Sequence, residues 1–312
     1  MSTSNSVKVV APATVANVSC GFDILGFAVE EPGDIVEVIR TTKPGVSIKK
    51  IMGDDGRLPL DANLNTAGVA VISLLQSLKC TDGFEIVLDK KLPLGSGMGS
   101  SAASAVAALV AVNHLLGNPK TREELVPHAM EAERIACGAA HADNVAPSLL
   151  GGFVLIRDYA PLDLIKIGSP DHLYCTLVHP EIEVKTEDSR KVLKASVSMK
   201  DAITQGGNIA GLIAGLLNSD YGLISRSLKD VLAEPIRSVF IPGFDGIKAG
   251  AREAGALGSG ISGSGPTIYA LSDSLEKAER VGKAIEIHFK NIQLNCEKYV
   301  SKVNAEGAKI LE

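Results

Sequence analysis

A glycine-serine loop between a short β-branched run and an alanine-rich segment constrains this chain more than any other feature. The residues of the loop are, in order, Pro93, Leu94, Gly95, Ser96, Gly97, Met98, Gly99, Ser100, Ser101, Ala102 and Ala103. Glycines at alternate positions allow backbone N–H groups to approach an anion without interference from a Cβ atom. The alanine-rich segment predicts a helix that begins at Ser100 or Ser101, whose unpaired N–H groups and positive dipole end face the same anion. The order of these elements predicts a phosphate-binding loop, and the alternative is a flexible turn before a packed helix.

The loop differs from the two common nucleotide motifs. It lacks the lysine of a Walker A sequence. It also lacks the G-x-G-x-x-G spacing and the later acidic residue of a dinucleotide site. A phosphate site here therefore belongs to another class of fold.

Composition excludes several classes of partner. The 312 residues are 46% hydrophobic and 21% charged, which is typical of a chain with a sizeable core. The net charge is -5 and no basic run exceeds two residues, so we expect no nucleic-acid partner. The longest apolar stretch, 102–112, is too short to span a bilayer, and residues 1–5 show no signal peptide. Five scattered cysteines without a CxxC pair indicate no zinc site and a reducing compartment, so we expect a cytoplasmic protein.

Hydrophobic periodicity predicts a mixed α+β chain. Strands are predicted at 7–11 (ended by Pro12), 34–40, 84–88, 153–157, 173–179, 267–271 and 296–300. Helices are predicted at 63–80, 102–116, 121–137, 189–195, 199–217, 223–232, 247–254 and 275–289. The order lacks regular βαβ alternation, which favours an α+β fold over a doubly wound sheet. A Pro-, Asp- and Gly-rich loop predicted at 158–171 places a domain boundary near 165, giving domains 1–165 and 166–312.

Three glycine-containing segments together resemble the motifs of the GHMP kinases. The loop at 93–103 is similar to the second motif, residues 12–23 (PATVANVSCGFD) to the first, and residues 258–267 (GSGISGSGPT) to the third. Residues 141–147 (HADNVAP) resemble a stretch typical of the branch of the family that phosphorylates L-homoserine. Val15 and residues 18–20 depart from the commoner residue types of the first motif. The resemblance covers essentially the whole chain in the expected order.

The resemblance implies a ribosomal-protein-like N-terminal domain, a ferredoxin-like C-terminal domain and a crevice between them for both substrates. It implies ATP and Mg²⁺ as cofactors, L-homoserine as the phosphoryl acceptor and a role in threonine biosynthesis. It also implies a homodimer. Two alternatives stay open: a GHMP kinase for an isoprenoid alcohol or a sugar, and a catalytically inactive binding protein of the same fold.

Glu133 is the candidate magnesium ligand. On its predicted helix it shares a face with Val126, Met130 and Cys137, so we expect it to point inward. A buried carboxylate needs a partner, which is either a metal ion or an unidentified basic side chain. The resemblance favours the metal, with Ser100 as the second protein ligand.

The remaining site residues are assigned by the resemblance. Asn17 and Asp23 hold the amino-acid head group, Arg190 and Arg237 bind its carboxylate, and Gly263 lies near the reacting groups. His141, Asp143 and Asn144 lie near the hydroxyl. Asp143 either orients the hydroxyl or also acts as its general base, and the loose transition state of phosphoryl transfer reduces the need for a base. For the nucleotide, Asn63 is the candidate adenine contact, and either Lys90 or Lys91 assists or both are ordinary surface lysines.

Overall fold

The structure is a computed structural model that describes residues 5–311, apart from the side chain of Cys137. The prediction about a signal peptide rests on residues 1–5, of which residues 1–4 lie outside this range. The strands are β1 Ser6–Ala16, β2 Leu25–Thr41, β3 Gly45–Met52, β4 Gly83–Asp89, β5 Phe153–Tyr159, β6 Leu162–Ile167, β7 Tyr174–Pro180, β8 Gly258–Ile261, β9 Ile268–Ser272, β10 Cys296–Lys302 and β11 Lys309–Leu311. The α-helices are α1 Thr66–Leu78, α2 Ser100–Leu115, α3 Arg122–Cys137, α4 Val145–Leu150, α5 Thr186–Lys191, α6 Met199–Leu217, α7 Tyr221–Ser227, α8 Glu234–Arg237, α9 Phe244–Glu253 and α10 Leu275–Asn291.

The first layer is a seven-stranded sheet around helix α2. Its main path runs β11-β1-β2-β4-β3, with β5 paired to β2 and β6 paired to β5. All pairs are antiparallel except β3 with β4. The alanine-rich sequence of α2 suits its position, because small side chains allow β1, β2, α1 and α3 to pack around one helix. This packing fixes the start of α2, and hence the phosphate loop, relative to the sheet.

The second layer is a four-stranded antiparallel sheet in the order β10-β7-β9-β8. Helix α10 packs on three of its strands and on α9. A separate buried cluster forms there, including Ile247, Ile268, Ile285 and Phe289. The predicted α+β class is confirmed by the two sheets and their helices. The boundary at 165/166 stays a prediction; the first sheet includes β6, which ends at Ile167, and the C-terminal strand β11.

Two local predictions are wrong. Pro12 does not end the first strand, which continues to Ala16, because the pairing of β1 with β2 shifts register between Pro12 and Thr14. A residue without an N–H group is tolerated at such an irregularity. The predicted loop at 158–171 contains strand β6, which forms an antiparallel hairpin with β5. The sequence of β6, LDLIKI, has apolar alternation in each half, but the Pro, Asp and Gly residues around it favoured a loop.

Candidate active site

A cavity of about 780 Å³ lies between the phosphate loop, α3 and the segments that follow β7 and β8. Residues from the first sheet and from the second line the same space. Cavities of this size commonly hold a small-molecule ligand. This cavity is therefore the candidate active site.

The phosphate loop is pressed against two other glycine-containing segments. A Cβ atom on Gly97 would lie 2.4 Å from the carbonyl oxygen of Ser262, and one on Gly99 would lie 2.1 Å from Thr14 Oγ1. Both glycines have positive φ, at 79° and 70°. The Thr14 N–H donates to the Met98 carbonyl at 3.0 Å, and the Ser262 hydroxyl donates to the Gly97 carbonyl at 2.7 Å. The three motifs of the sequence therefore meet at one place.

The predicted ATP-binding residues fall into two groups. The cavity is lined by Leu94, Gly95, Ser96, Gly97, Gly99, Ser100 and Ser101. Met98, Ala102 and Ala103 are fully buried core residues, and Pro93 is half-buried outside the lining. Helix α2 begins at Ser100, which is the first of the two starts predicted. Asn63 is exposed and its amide donates to Asp61 at 3.0 Å, whereas the following residues Leu64, Asn65 and Thr66 line the cavity.

The two candidate lysines have different environments. Lys90 is buried and its ammonium donates to Asp34, to the Ser100 carbonyl at 2.8 Å and to Ser104 Oγ at 2.7 Å. Burial lowers the pKa of Lys90, and the charge of Asp34 opposes that shift. Lys91 is exposed and pairs with Asp89 at 2.9 Å. Asp34 was missed by the sequence reasoning, because an acidic residue in an alternating strand carries no signal of a buried partner.

The metal candidates lie beside the loop. Glu133 is buried as predicted, and Ser101 Oγ donates to its Oε1 at 2.6 Å. Burial raises the pKa of Glu133. The Ser100 hydroxyl donates to the Leu92 carbonyl at 3.2 Å, so in this structure Ser101 contacts Glu133 and Ser100 does not donate to it. Among the side chains that the structure describes, which exclude that of Cys137, no group of three or more His, Cys, Asp and Glu residues is placed to hold a metal ion.

These donors nevertheless fit a hard cation that is shared with a phosphate ligand. Glu133, Ser100 and Ser101 all line the cavity and all offer oxygen atoms. A cation next to Glu133 would offset the cost that burial imposes on its charged form. The side chain of Cys137, predicted to share the face of Glu133, is outside the described part of the chain.

Asp23 and Arg190 form a bidentate ion pair in the wall of the same cavity. Arg190 donates from Nη1 to Asp23 Oδ2 at 3.1 Å and from Nη2 to Oδ1 at 2.6 Å. The Asp23 N–H donates to Asn17 Oδ1 at 2.9 Å, and the Asn17 amide donates to the Gly263 carbonyl at 2.7 Å. His141 Nδ1 lies 3.4 Å from Arg190 Nη2. An anionic and a cationic group are thus held side by side.

Arg237 completes the basic side of this cluster. Its Nε donates to the Ser189 carbonyl at 3.1 Å and its Nη1 to the Gly263 carbonyl at 3.2 Å. The guanidinium lies 4.8 Å from the centre of the Phe22 ring. Burial, and then the neighbouring charge of Arg190, lower the pKa of Arg237 to about 10.

Asp143 and His141 carry perturbed pKa values. Burial, together with the negative charges of Asp23 and Glu133, raises the pKa of Asp143 to about 7. Burial and the charge of Arg190 lower the pKa of His141, whose buried Nε2 has no hydrogen-bond partner within the described chain. Asn144 Oδ1 accepts a hydrogen bond from Thr14 Oγ1 at 2.6 Å. All the predicted acceptor residues line the one cavity: Asn17, Asp23, His141, Asp143, Asn144, Arg190, Arg237 and Gly263.

Sequence reasoning missed further residues of the cavity wall. Arg57, Glu183 and Lys185 line it, although none lies in a motif. Thr14 lies within the first motif, but its contacts with Asn144 and the phosphate loop depend on the three-dimensional fold. Only their spatial position distinguishes these residues from ordinary polar surface groups.

Family models match both halves of the chain. The model of the GHMP kinases N terminal domain matches residues 65–152, and that of the GHMP kinases C terminal matches residues 212–291. A homoserine kinase from Chloroherpeton thalassium is 53% identical over 312 residues, covering 96% of this chain and 98% of the relative. A homoserine kinase from Xylella fastidiosa strain M12 is 40% identical, covering 99% of this chain and 95% of the relative.

Solved structures match in fold. The crystal structure of homoserine kinase from Cytophaga hutchinsonii has a TM-score of 0.97 at 54% identity and covers 100% of this chain and 99% of that one. The structure of L. major mevalonate kinase in complex with R-mevalonate has a TM-score of 0.71 at 17% identity, covers 95% of this chain and 96% of that one, and supports the fold alone. The predicted two-domain GHMP kinase fold is confirmed.

Proposed function

This chain belongs to the GHMP kinase family, and we propose that it phosphorylates the side-chain hydroxyl of L-homoserine with ATP to give O-phospho-L-homoserine and ADP. The observation that carries this proposal is the pairing of Asp23 with Arg190 beside Arg237, in the same cavity as the phosphate loop. A zwitterionic amino acid needs a carboxylate for its ammonium and a guanidinium fork for its carboxylate. The relatives named homoserine kinase, at 40–53% identity, support the same acceptor.

The reaction forms a bond between the hydroxyl oxygen and the γ-phosphorus and breaks the bond from that phosphorus to the ADP oxygen. The backbone N–H groups of the phosphate loop and the start of α2 hold the phosphates and stabilise charge on the transferred group. Asp143 is buried on the acceptor side with a pKa raised to about 7, so its carboxyl group exchanges a proton near neutral pH. It accepts a hydrogen bond from the hydroxyl when ionised, which aligns the nucleophile, and it receives the proton as transfer proceeds.

Glu133 and the hydroxyl of Ser100 are the residues that would hold Mg²⁺, with Ser101 as a partner of the Glu133 carboxylate. The ion would shield the negative charge of the phosphates during transfer. The proposal further includes a homodimer and a role in threonine biosynthesis, both carried over from the family resemblance. It also includes a cytoplasmic location, which rests on the scattered cysteines of the sequence. Within residues 5–311, no helix is long and apolar enough to cross a membrane.

The alternatives explain fewer features of the cavity. An isoprenoid alcohol or a sugar lacks the zwitterionic head group, so Asp23, Arg190 and Arg237 would have no charged target. An inactive binding protein would not require the phosphate-loop serines and the buried Glu133, which this chain retains. Both alternatives therefore leave polar groups of the cavity unused.

A coupled assay of ADP release tests the proposal. The enzyme is given ATP and Mg²⁺ with L-homoserine, mevalonate, shikimate or galactose in turn. We expect turnover with L-homoserine and little with the others. Turnover with another alcohol, or ATP binding without turnover of any of them, would contradict the assignment. L-Serine, one methylene shorter, should react about 10- to 200-fold less efficiently.

A further inference from the structure

An ion pair lines the cavity beside the phosphate loop. Arg57 Nη2 donates to Glu183 Oε2 at 2.7 Å, and both residues line the cavity. Arg57 lies between β3 and α1, whereas Glu183 lies between β7 and α5. The pair therefore joins a loop of the first sheet to a loop of the second.

The backbone that carries Arg57 is held in a turn. The Arg57 N–H donates to the Asp54 carbonyl at 3.0 Å, and the Leu58 N–H donates to the buried Asp54 carboxylate at 3.0 Å. Gly53, with φ of 77°, packs on the backbone of Lys90, where a Cβ would lie 2.2 Å from the Lys90 carbonyl oxygen. The position of Arg57 is therefore fixed relative to the strand that leads into the phosphate loop.

Glu183 lies directly against that loop. A Cβ atom on Gly95 would come within 2.6 Å of Glu183 Cγ and 2.8 Å of its Oε1. One carboxylate oxygen thus lies over Gly95 while the other accepts a hydrogen bond from Arg57. The loop and the start of α2 favour an anion, and Glu183 places a negative charge at their edge.

The pair can exchange partners at little cost. The side chains of Arg57 and Glu183 are 51% and 43% exposed, and solvent-exposed ion pairs contribute little to stability. A polyphosphate on the loop repels the Glu183 carboxylate and attracts the Arg57 guanidinium, which forms stronger bidentate bonds with phosphate. Two opposite electrostatic effects on the nucleotide follow from one ion pair.

We propose that Arg57 is a polyphosphate-binding residue that exchanges Glu183 for ATP, and that Glu183 competes with ATP for Arg57 and for the edge of the phosphate loop. The proposal rests on the proposed function only in taking ATP as the nucleotide. It assigns opposite roles to the two partners of one ion pair. A pair that merely held the two loops together would give both partners the same role.

The test measures equilibrium binding of ATP, with Mg²⁺ and without L-homoserine, by titration calorimetry. We expect Arg57→Met to weaken ATP binding about five- to tenfold, and Glu183→Gln to tighten it about three- to tenfold. Both effects should shrink in high salt. Binding of adenosine, which carries no phosphate, should stay within about twofold of wild type in both variants.

The pair Arg157 and Asp163 provides a matched control. Its side chains are 56% and 39% exposed and it lies on the β5–β6 hairpin, outside the cavity lining. Arg157→Met and Asp163→Asn should leave ATP binding unchanged. If Arg57→Met and Glu183→Gln weaken ATP binding alike, or if neither changes it beyond about twofold, the exchange is refuted. If the wild-type enzyme does not turn over L-homoserine, the proposed function is refuted instead. Failure of the ion-pair exchange and failure of the proposed function are therefore distinguishable.

Discussion

Asp34 and Lys90 form a buried ion pair that makes hydrogen bonds to both ends of the phosphate loop. Each side chain is only 1% exposed. Asp34 Oδ1 accepts hydrogen bonds from the N–H groups of Lys91 at 2.8 Å and Leu92 at 2.9 Å, where the loop begins. The Lys90 ammonium donates to the Ser100 carbonyl at 2.8 Å, where α2 begins. The pair therefore connects the loop to both of the elements that flank it.

Lys90→Met should destabilise the fold substantially. It leaves the Asp34 carboxylate buried without its cation, and breaking a buried pair in this way costs about 3–5 kcal/mol. Urea unfolding measures the loss. The control is Lys91→Met, whose exposed side chain pairs with Asp89 and whose removal should cost at most about 1 kcal/mol. The double variant Asp34→Asn/Lys90→Met should be less destabilised than the sum of the single changes, and additive losses would argue against the pair.

Asp143→Asn should change how stability and activity depend on pH. The folded-state pKa of Asp143 is raised from 3.8 to about 7, so its contribution to stability is present below pH 4 and is lost as the pH rises through 7. Across three pKa units this loss approaches about 4 kcal/mol. Without substrates, the asparagine variant should therefore unfold with a higher free energy than wild type at pH 8, and the advantage should vanish near pH 4.

The same variant tests the catalytic role of Asp143. If the carboxylate orients the hydroxyl or takes its proton, kcat/KM of the wild-type enzyme should rise with pH through about 7. The asparagine variant should turn over on the order of 100-fold more slowly or worse. Its kcat/KM should also no longer rise with pH through about 7. Nearly full turnover with an unchanged magnesium requirement would contradict both roles.

The sequence contains the local parts of this site, and its contacts depend on the fold. The capping box at Thr121 and Glu124 and the alanine-rich run of α2 mark their helices, because these signals act over a few residues. Strand β3 was missed, since Lys49 and Lys50 interrupt its alternation and its pairing shifts register there. Nothing in the sequence indicates that Asp34 meets Lys90, 56 positions later. That contact depends on the pairing of β2 with β4, in which Ile35 lies opposite Asp89.

Gly97→Ala should impair ATP binding by separating the phosphate loop from the C-terminal glycine segment. An added Cβ would lie 2.4 Å from the Ser262 carbonyl oxygen and 2.7 Å from that of Gly265, and both are backbone atoms that cannot swing away. Gly117→Ala is the matched control, because Gly117 has a similar φ of 83°, an added Cβ meets nothing within 4 Å, and Gly117 lies outside the cavity lining. Both variants incur the backbone cost of about 1 kcal/mol, and only Gly97→Ala adds the clash.

Calorimetric titration with ATP separates the two effects. We expect Gly97→Ala to weaken ATP binding at least about tenfold and Gly117→Ala to leave it within about twofold. Equal binding by the two variants would show that the contact between the loops does not shape the phosphate site.

Glu133→Gln should raise the magnesium requirement. The substitution keeps the shape of the side chain and an oxygen that can accept from Ser101, but it removes the charge. If Glu133 holds Mg²⁺, the Mg²⁺ concentration that gives half-maximal turnover should rise about tenfold or more. Glu131→Gln is the control on the same helix, because Glu131 pairs with Arg134 with its side chain 46% exposed, and it should leave that concentration unchanged.

The same assay distinguishes the contributions of Ser100 and Ser101 to Mg²⁺ binding. Ser100→Ala should also raise the magnesium requirement if its hydroxyl is the second protein ligand, which requires the hydroxyl to leave the Leu92 carbonyl. Ser101→Ala should act through Glu133, because it removes a hydrogen bond that stabilises the charged carboxylate and so raises the pKa of Glu133 further. Its magnesium requirement should therefore approach that of wild type as the pH rises, whereas that of Ser100→Ala should stay high. If Glu133→Gln leaves the magnesium requirement unchanged, the Glu133 carboxylate is not a magnesium ligand.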